Sequence, residues 1–144
     1  MRRWPDAGGS LKTRFLNVDL DVFAAYSLVG LARALESVGA VTLHCGRWYE
    51  GGFRASFEVT SGRTADATIR RLVTCVQHLP PAAYGLWTGA QRREFNIGIQ
   101  AGDTPHSFEV SVAPKTVALV GQLGARISVT VYSPDPPGRS GVTR

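Results

Sequence analysis

Three polar side chains on one short stretch, Asn17, Asp19 and Asp21, are the residues of this sequence best placed to do chemistry. Apolar residues alternate with them between Phe15 and Val22, which is typical of a half-buried β-strand. Strand residues two apart point to the same face at a spacing of about 6–7 Å. Such a set can hold a hard cation or supply an acid/base pair. The simpler interpretation, which we favour, is that the exposed face of a one-sided sheet must be polar.

Glu94, Asn96 and Glu109 are polar positions of two later predicted strands. They join the same polar surface if those strands lie beside the first one, which the sequence alone leaves open. We therefore predict that Glu94 and Asn96 belong with the first three residues in one binding surface.

The cysteines and histidines form no recognisable nucleophilic or metal-binding set. His44 and Cys45 are adjacent, and neighbouring strand residues point to opposite faces, so they make a poor nucleophile–base pair. Cys75 and His78 stand three apart on a predicted helix and can share a face, but no third ligand lies nearby. Two cysteines also make no disulfide framework. We predict no metal site, and a core thiol with an amphipathic histidine is the favoured interpretation.

Aromatic side chains offer a second candidate surface. Trp48 and Tyr49 precede Glu-Gly-Gly at the tip of a predicted hairpin, and Trp87 lies on a short helix followed by Arg92 and Arg93. Large aromatic residues at exposed positions are typical anchors of protein interfaces. They equally well cover the end of a core, and packing is the favoured interpretation. We keep Trp48 and Tyr49 as candidate binding residues.

Several common chemistries lack their motifs in this sequence. It has no phosphate-binding loop of the G-x-x-x-x-G-K-[ST] type and no G-x-G-x-x-G dinucleotide fingerprint. A G-x-S-x-G nucleophile elbow, an H-E-x-x-H motif and paired C-x-x-C spacings are missing as well. We therefore predict no cofactor, and a non-enzymatic role is favoured over catalysis.

The elements that position these residues follow from the hydrophobic periodicity, which predicts the order βαββααββαβ. Strands are predicted at about 15–22, 41–45, 53–59, 94–100, 108–112 and 127–131, and helices at 24–38, 64–79, 81–91 and from Pro114 to Leu123. Thr64 is a predicted N-cap, and Gly39 and Gly124 are predicted to close helices.

This order predicts an α+β fold. We expect a single domain over residues 14–133, with flexible tails at 1–13 and 134–144. The economical arrangement is a two-layer sandwich, in which one mixed sheet of about six strands has helices mainly on one face. A ferredoxin-like split βαβ arrangement is one way to build it.

The net charge of +5 on 144 residues invites a nucleic-acid hypothesis, but its distribution weakens that hypothesis. Residues 1–14 contribute +3 and residues 134–144 contribute +1, so residues 15–133 carry only +1. A surface that follows phosphates needs clustered cations. No stretch resembles a signal peptide or a membrane span, which predicts a cytoplasmic protein without a membrane partner.

Four motifs between residues 83 and 132 form a familiar pattern. They read Leu-Trp at 86–87, Arg-Glu-Phe-Asn-Ile-Gly-Ile at 93–99, Phe-Glu-Val-Ser-Val-Ala-Pro at 108–114, and Leu-Gly-Ala-Arg-Ile-Ser-Val-Thr-Val-Tyr at 123–132. This pattern resembles a bacterial domain-of-unknown-function family of small cytosolic α+β proteins. Some members of such families lie beside secreted toxins as immunity proteins. The resemblance implies an immunity-like role and carries no established catalytic residues.

Three functions remain as hypotheses. The first is a non-enzymatic cytoplasmic domain that binds a protein partner through the polar sheet face or the Trp48–Tyr49 tip. The second is a small metal-dependent hydrolase that uses Asp19 and Asp21. The third is a weak nucleic-acid binder that acts through basic tails. The sequence leaves the identity of the partner and the oligomeric state open.

Overall fold

Five strands and four helices make up the part of the chain that the computed structural model describes, residues 11–60 and 63–134. In chain order they are β1 (Arg14–Ala24), α1 (Val29–Ser37), β2 (Val41–Arg47), β3 (Phe53–Glu58), α2 (Ala65–Gln77), α3 (Pro81–Thr88), β4 (Arg92–Gln100), α4 (Pro114–Gln122) and β5 (Arg126–Tyr132). The predicted α+β class is therefore confirmed.

The strands form one mixed sheet with the order β2-β3-β1-β4-β5. β1 lies in the middle and pairs antiparallel with β3 and with β4, while β2 pairs antiparallel with β3. The first four strands with α1 and α2 follow the β-α-β-β-α-β order of a ferredoxin-like arrangement. α4 then adds β5 parallel to β4, as expected for two strands joined by a helix.

Alternate residues of the strands and one stripe of each helix form a single hydrophobic core. On β1, Val18, Leu20 and Val22 are fully buried. All four helices contribute to the same cluster, which includes Leu31, Leu35, Ile69, Leu72, Trp87 and Val120. Full burial of a large apolar side chain contributes about 1.5–3 kcal/mol, so this cluster is the main source of stability.

The predicted strand at 108–112 is wrong, and the sheet has five strands rather than six. Both sides of β4 are already occupied, by β1 and β5, so no position beside it remains. Val110 and Val112 instead pack against the core from an irregular segment. At the end of this segment Ala113 N–H donates to Asp66 of α2 at 2.9 Å, which ties the segment to that helix.

Two boundaries near β1 differ from the prediction. β1 continues to Ala24, which pairs with Phe53, so α1 begins at Val29 rather than at residue 24. A register shift between Phe15 and Asn17 changes the face of the strand at its start. Phe15 therefore packs against the core, whereas Leu16, predicted to be on the core face, is 39% exposed.

The alternation of Ile127, Val129 and Val131 on the predicted last strand favours core positions for all three, but Val129 and Val131 lie outside the core. They are 57% and 60% exposed, although Ile127 on the same face packs against the core. β5 is an edge strand, and the core cluster does not extend along its full length. On α4, similarly, Thr116 is buried while the apolar Val117 is exposed.

The predicted N-cap of α2 and the glycines predicted to close α1 and α4 are confirmed, whereas α2 ends at Gln77 and α3 at Thr88, before the predicted residues 79 and 91. Thr64 caps α2 by accepting the Ala67 N–H at 3.1 Å. Gly39 and Gly124 follow α1 and α4 with φ of 110° and 72°, a region that glycine enters without steric cost. Most of the predicted tails, 1–13 and 134–144, lies outside the described residues, and no described helix is long and apolar enough to cross a membrane.

Candidate binding face of the sheet

The pairing register brings polar side chains from all five strands into one row. We call the side of the sheet opposite Val18, Leu20 and Val22 the polar face. On it, Asp21 of β1 lies opposite both Ser56 of β3 and Glu94 of β4.

The same row continues to both edges of the sheet. Ser56 faces His44 of β2 on its other side. Glu94 faces Arg126 of β5. From β2 to β5 the row therefore presents an imidazole, a hydroxyl, two adjacent carboxylates and a guanidinium across the full width of the sheet.

A second row runs beside the first and contains the remaining predicted residues. Asp19 lies opposite Asn96 of β4, so β1 and β4 are neighbours, a point that the sequence alone left open. Asn17 donates from Nδ2 to Oε1 of Glu58 at 2.7 Å. Glu109 does not join the polar face, because it lies outside the sheet in the irregular segment, where its carboxylate accepts the Ser111 hydroxyl at 3.0 Å.

Asp21 is the most enclosed carboxylate of the polar face, at 9% exposure. Its Oδ1 accepts the Ser56 hydroxyl at 2.6 Å and lies 3.5 Å from a guanidinium nitrogen of Arg54. A buried carboxylate requires such partners, because its desolvation is otherwise unfavourable by several kcal/mol. Asp21 is therefore held by its neighbours in one orientation.

Asp19 sits in a different electrostatic environment. Partial burial raises the pKa of its carboxyl above the usual 3.8, and the charges of Asp21 and Glu58 raise the pKa further. Arg54 opposes this shift in the pKa of Asp19 only in part. Three carboxylates therefore face a single nearby guanidinium, which leaves a negative potential over this part of the face.

The other end of the polar face is aromatic and cationic. The guanidinium carbons of Arg92 and Arg54 lie 4.2 and 5.8 Å from the centre of the Phe23 ring. Arg54 also lies 4.8 Å from the centre of Trp48, whose ring meets Phe23 edge-on at 5.8 Å. We call Phe23, Trp48, Arg54 and Arg92 the aromatic–arginine cluster. Arg92 also pairs with Glu94 at 3.4 Å, which links the cluster to the polar row.

The turn between β2 and β3 places Trp48 over this cluster. Trp48 N–H donates to Gly52 O, and Gly51 N–H donates to Trp48 O, both at 2.9 Å. Gly52 has φ of 78°, and a Cβ at this position would lie 2.7 Å from Ala24 O. Tyr49, next in the turn, stacks at 4.4 Å on Trp48 and is 83% exposed. The predicted hairpin tip is confirmed.

Trp87 and Arg93 have structural roles instead of forming a surface. Trp87 is fully buried and donates from Nε1 to Leu123 O at 3.1 Å, as the packing interpretation predicts. Arg93 donates to the carbonyls of Trp87 and Ala90 at 2.9 and 2.8 Å and to Gly124 O at 3.0 Å. A single guanidinium therefore joins the end of α3 to the turn before β5.

The adjacent His44 and Cys45 point to opposite sides of the sheet, as the sequence predicts. His44 faces Ser56, whereas Cys45 faces Ala55. Cys75 is buried and lies 3.5 Å from Val38 O, while His78 ends α2 with its Nδ1 2.8 Å from the carbonyl of Thr74. Within residues 11–60 and 63–134, no three His, Cys, Asp or Glu side chains are arranged to hold a metal ion.

A concave site lies away from the polar face. It is a cleft of about 390 Å³ at the start of α2, lined by Phe15, Asp66 and Phe108 among others. The Asp66 carboxylate already accepts the Ala113 N–H and pairs with Arg70 at 3.1 Å. Glu109, a polar position of the predicted strand at 108–112, also lines this cleft, whereas none of the other candidate residues from the sequence does.

Sequence reasoning missed four residues of the polar face, Phe23, Arg54, Ser56 and Glu58, and named Arg92 only in connection with Trp87. Arg54, Ser56 and Glu58 alternate on β3 with the apolar residues that predicted this strand, so the sequence indicates that the three share one face. The sequence does not show that they lie beside Asp19 and Asp21, because this depends on β3 pairing with β1.

Comparisons of the chain with protein-family models, with curated proteins and with solved structures found no match.

Proposed function

We propose that this chain is a non-enzymatic, cytoplasmic protein-binding domain that holds a protein partner on the polar face. Tyr49 and the aromatic–arginine cluster anchor the partner at one end. The rows of Asn17, Asp19, Asn96 and their neighbours provide the polar contacts along the rest of the face.

The convergence of Trp48, Tyr49, Arg54 and Arg92 carries this proposal. Tryptophan, tyrosine and arginine are the residue types most enriched at the energetic centres of protein interfaces. Tyr49 is exposed but already restricted in conformation, because Trp48 packs against Tyr49 on one side and against Phe23 on the other. Binding then loses little side-chain entropy.

The charges of the polar face indicate what the partner must present. Arg92 is 44% exposed along its side chain and offers donors to a partner's carboxylate or carbonyl groups. Asp19 and Glu58 favour a cation from the partner, because their mutual repulsion is poorly compensated within the chain. A partner with a basic and an acidic patch side by side complements both ends, and such complementarity raises association rate and specificity.

The proposal takes the sheet to have helices mainly on one side, as in a two-layer sandwich. It is supported by the single core cluster, in which buried residues of all four helices lie together with Val18, Leu20 and Val22. The polar face contributes polar side chains at the alternate positions, as an uncovered face requires.

An immunity-like role is the form of the proposal that the family resemblance suggests, with a toxin as partner.

A photo-reactive amino acid at position 49 should capture a stoichiometric partner in the native host. The same amino acid at Arg33, exposed on α1, is the matched control and should capture none. Equal capture from both positions, or none from either, would contradict the proposal.

The metal-dependent hydrolase at Asp19 and Asp21 is tested separately. Calorimetric titration with millimolar Mg²⁺ or Mn²⁺ should show no binding. Saturable binding that Asp19→Asn abolishes would favour the hydrolase instead.

A further inference from the structure

β5 has an outer edge without backbone partners among the described residues. It pairs with β4 on one side only. The one backbone hydrogen bond to β5 from outside the sheet pairing comes from Ala101 N–H, which donates to Tyr132 O at 2.8 Å. Unpaired strand edges readily add another strand, and proteins usually protect them.

Within the part of the chain that the structure describes, the opposite edge of the sheet carries protective features that β5 lacks. β2 has a register shift between Thr42 and His44, contains Gly46 and ends in Arg47. Bulges and charges of this kind discourage pairing. β5 is regular in its pairing with β4, and no charged residue follows Arg126 in the strand. Val129 and Val131 remain more than half exposed.

The orientation of the β5 backbone determines which residues face outward. Tyr132 O points toward the β4 side, where Ala101 donates to it. Backbone groups alternate in direction along a strand, so residues 127, 129 and 131 direct their N–H and C=O groups to the free edge.

We propose that β5 pairs antiparallel with β5 of a second copy, with Val129 opposite Val129 across a two-fold axis. In this register Ile127 lies opposite Val131 of the second copy. The three outward-directed residues of one copy therefore pair with the three outward-directed residues of the other. β-Branched apolar side chains then meet along one face, while Ser128 meets the Thr130 hydroxyl along the other.

The charges of the strand also fit this register. Arg126, the one charged residue of β5, lies opposite Tyr132 of the second copy, where a guanidinium over a phenol ring is favourable. The two copies of Arg126 lie at opposite ends of the paired strands, so they do not repel each other. A parallel alignment would instead place the two arginines side by side, at a cost.

This pairing makes one continuous sheet from two copies and places both polar faces on the same side. The inference is independent of the proposed function, since none of the anchoring residues lies on β5. Because strand pairing alone forms a small interface, we expect a reversible, concentration-dependent dimer.

Cysteine cross-linking tests the register directly. In a Cys45→Ser background, Val129→Cys should form an intermolecular disulfide under mild oxidation, because the paired Cα atoms lie about 5.5 Å apart. Val131→Cys is equally exposed, but its copies lie about 13 Å apart along the strands, so it should not cross-link. Equal cross-linking at both positions, or none at position 129, would overturn the proposed pairing.

The oligomeric state in solution gives a second, independent measurement. Sedimentation equilibrium should show the wild-type chain associating to a dimer with rising concentration, and Val129→Arg should remain a monomer. Leu43→Arg on β2, where Leu43 is 48% exposed, is the matched control and should still dimerise. A wild-type monomer at all concentrations, as expected if residues 135–144 or another protein cover β5, would overturn the inference.

Discussion

At the scale of single residues, the carboxylates of the polar face divide into two kinds. Asp21 is compensated by the Ser56 hydroxyl and by Arg54. Burial raises the pKa of Asp19 above its usual value, and the negative charges of Asp21 and Glu58 raise this pKa further. A charge that lowers the stability of the isolated fold is retained more easily where it serves binding, since functional sites often trade stability for activity.

The raised pKa of Asp19 predicts that Asp19→Asn stabilises the protein at neutral pH. The folded state binds this proton more tightly than the unfolded state, so stability falls as pH rises above 3.8 through the raised pKa. The gain should be below about 1 kcal/mol, because solvent screens a half-exposed charge. Thermal unfolding at pH 7 measures it, and the gain should vanish at pH 3.

Asp103→Asn is the control for this effect, because Asp103 is an exposed carboxylate in a turn away from the polar face. It should leave the midpoint of unfolding unchanged. A loss of stability in Asp19→Asn at pH 7 would show that the carboxylate makes a favourable contact.

At the scale of elements, two short connections hold the sheet and helices in place. The turn before β3 brings Gly52 against Ala24 O, which holds the Trp48–Tyr49 tip beside the end of β1. Arg93 fastens the end of α3 to the turn between α4 and β5 through backbone carbonyls. Cations at helix C-termini also interact favourably with the helix dipole.

Gly52→Ala should destabilise the protein by about 1–3 kcal/mol, because it adds a Cβ that collides with Ala24 O at a positive φ. Gly51→Ala is the matched control: it has φ of 112° but no atom within 4 Å of the added Cβ. Chemical denaturation should show the larger loss for Gly52→Ala. Equal losses would mean that backbone conformation alone, without the collision, explains the effect.

Arg93→Met keeps most of the side-chain length and removes every hydrogen bond to the carbonyls. We expect a loss of about 2 kcal/mol or more, because hydrogen bonds to a charged group are stronger than neutral ones. Arg33→Met on the exposed side of α1 should change stability little. If both variants unfold at the same denaturant concentration, Arg93 does not stabilise this junction.

At the scale of the whole molecule, the sequence predicts the elements better than their neighbours. Alternation around Asp19 and Asp21 predicted β1 and its polar side, and Gly-Gly at 51–52 predicted the tip. Arg54 and Arg92 were not assigned to this face, because their proximity depends on strand pairing far apart in the chain. The strand predicted at 108–112 was wrong for the same reason. Alternating apolar residues indicate that a segment packs against the core, but they do not show whether a neighbouring strand is available for pairing.

In the proposed function, a protein partner binds the polar face through its aromatic–arginine end. This proposal is tested most directly by the dissociation constant of the captured partner for four proteins: wild type, Tyr49→Ala, Arg92→Ala and the control Arg33→Ala. We predict that Tyr49→Ala and Arg92→Ala each weaken binding at least about tenfold, a change of about 1.4 kcal/mol, while Arg33→Ala binds as wild type. Undiminished binding by both face variants, or equal weakening by Arg33→Ala, would contradict the proposed function.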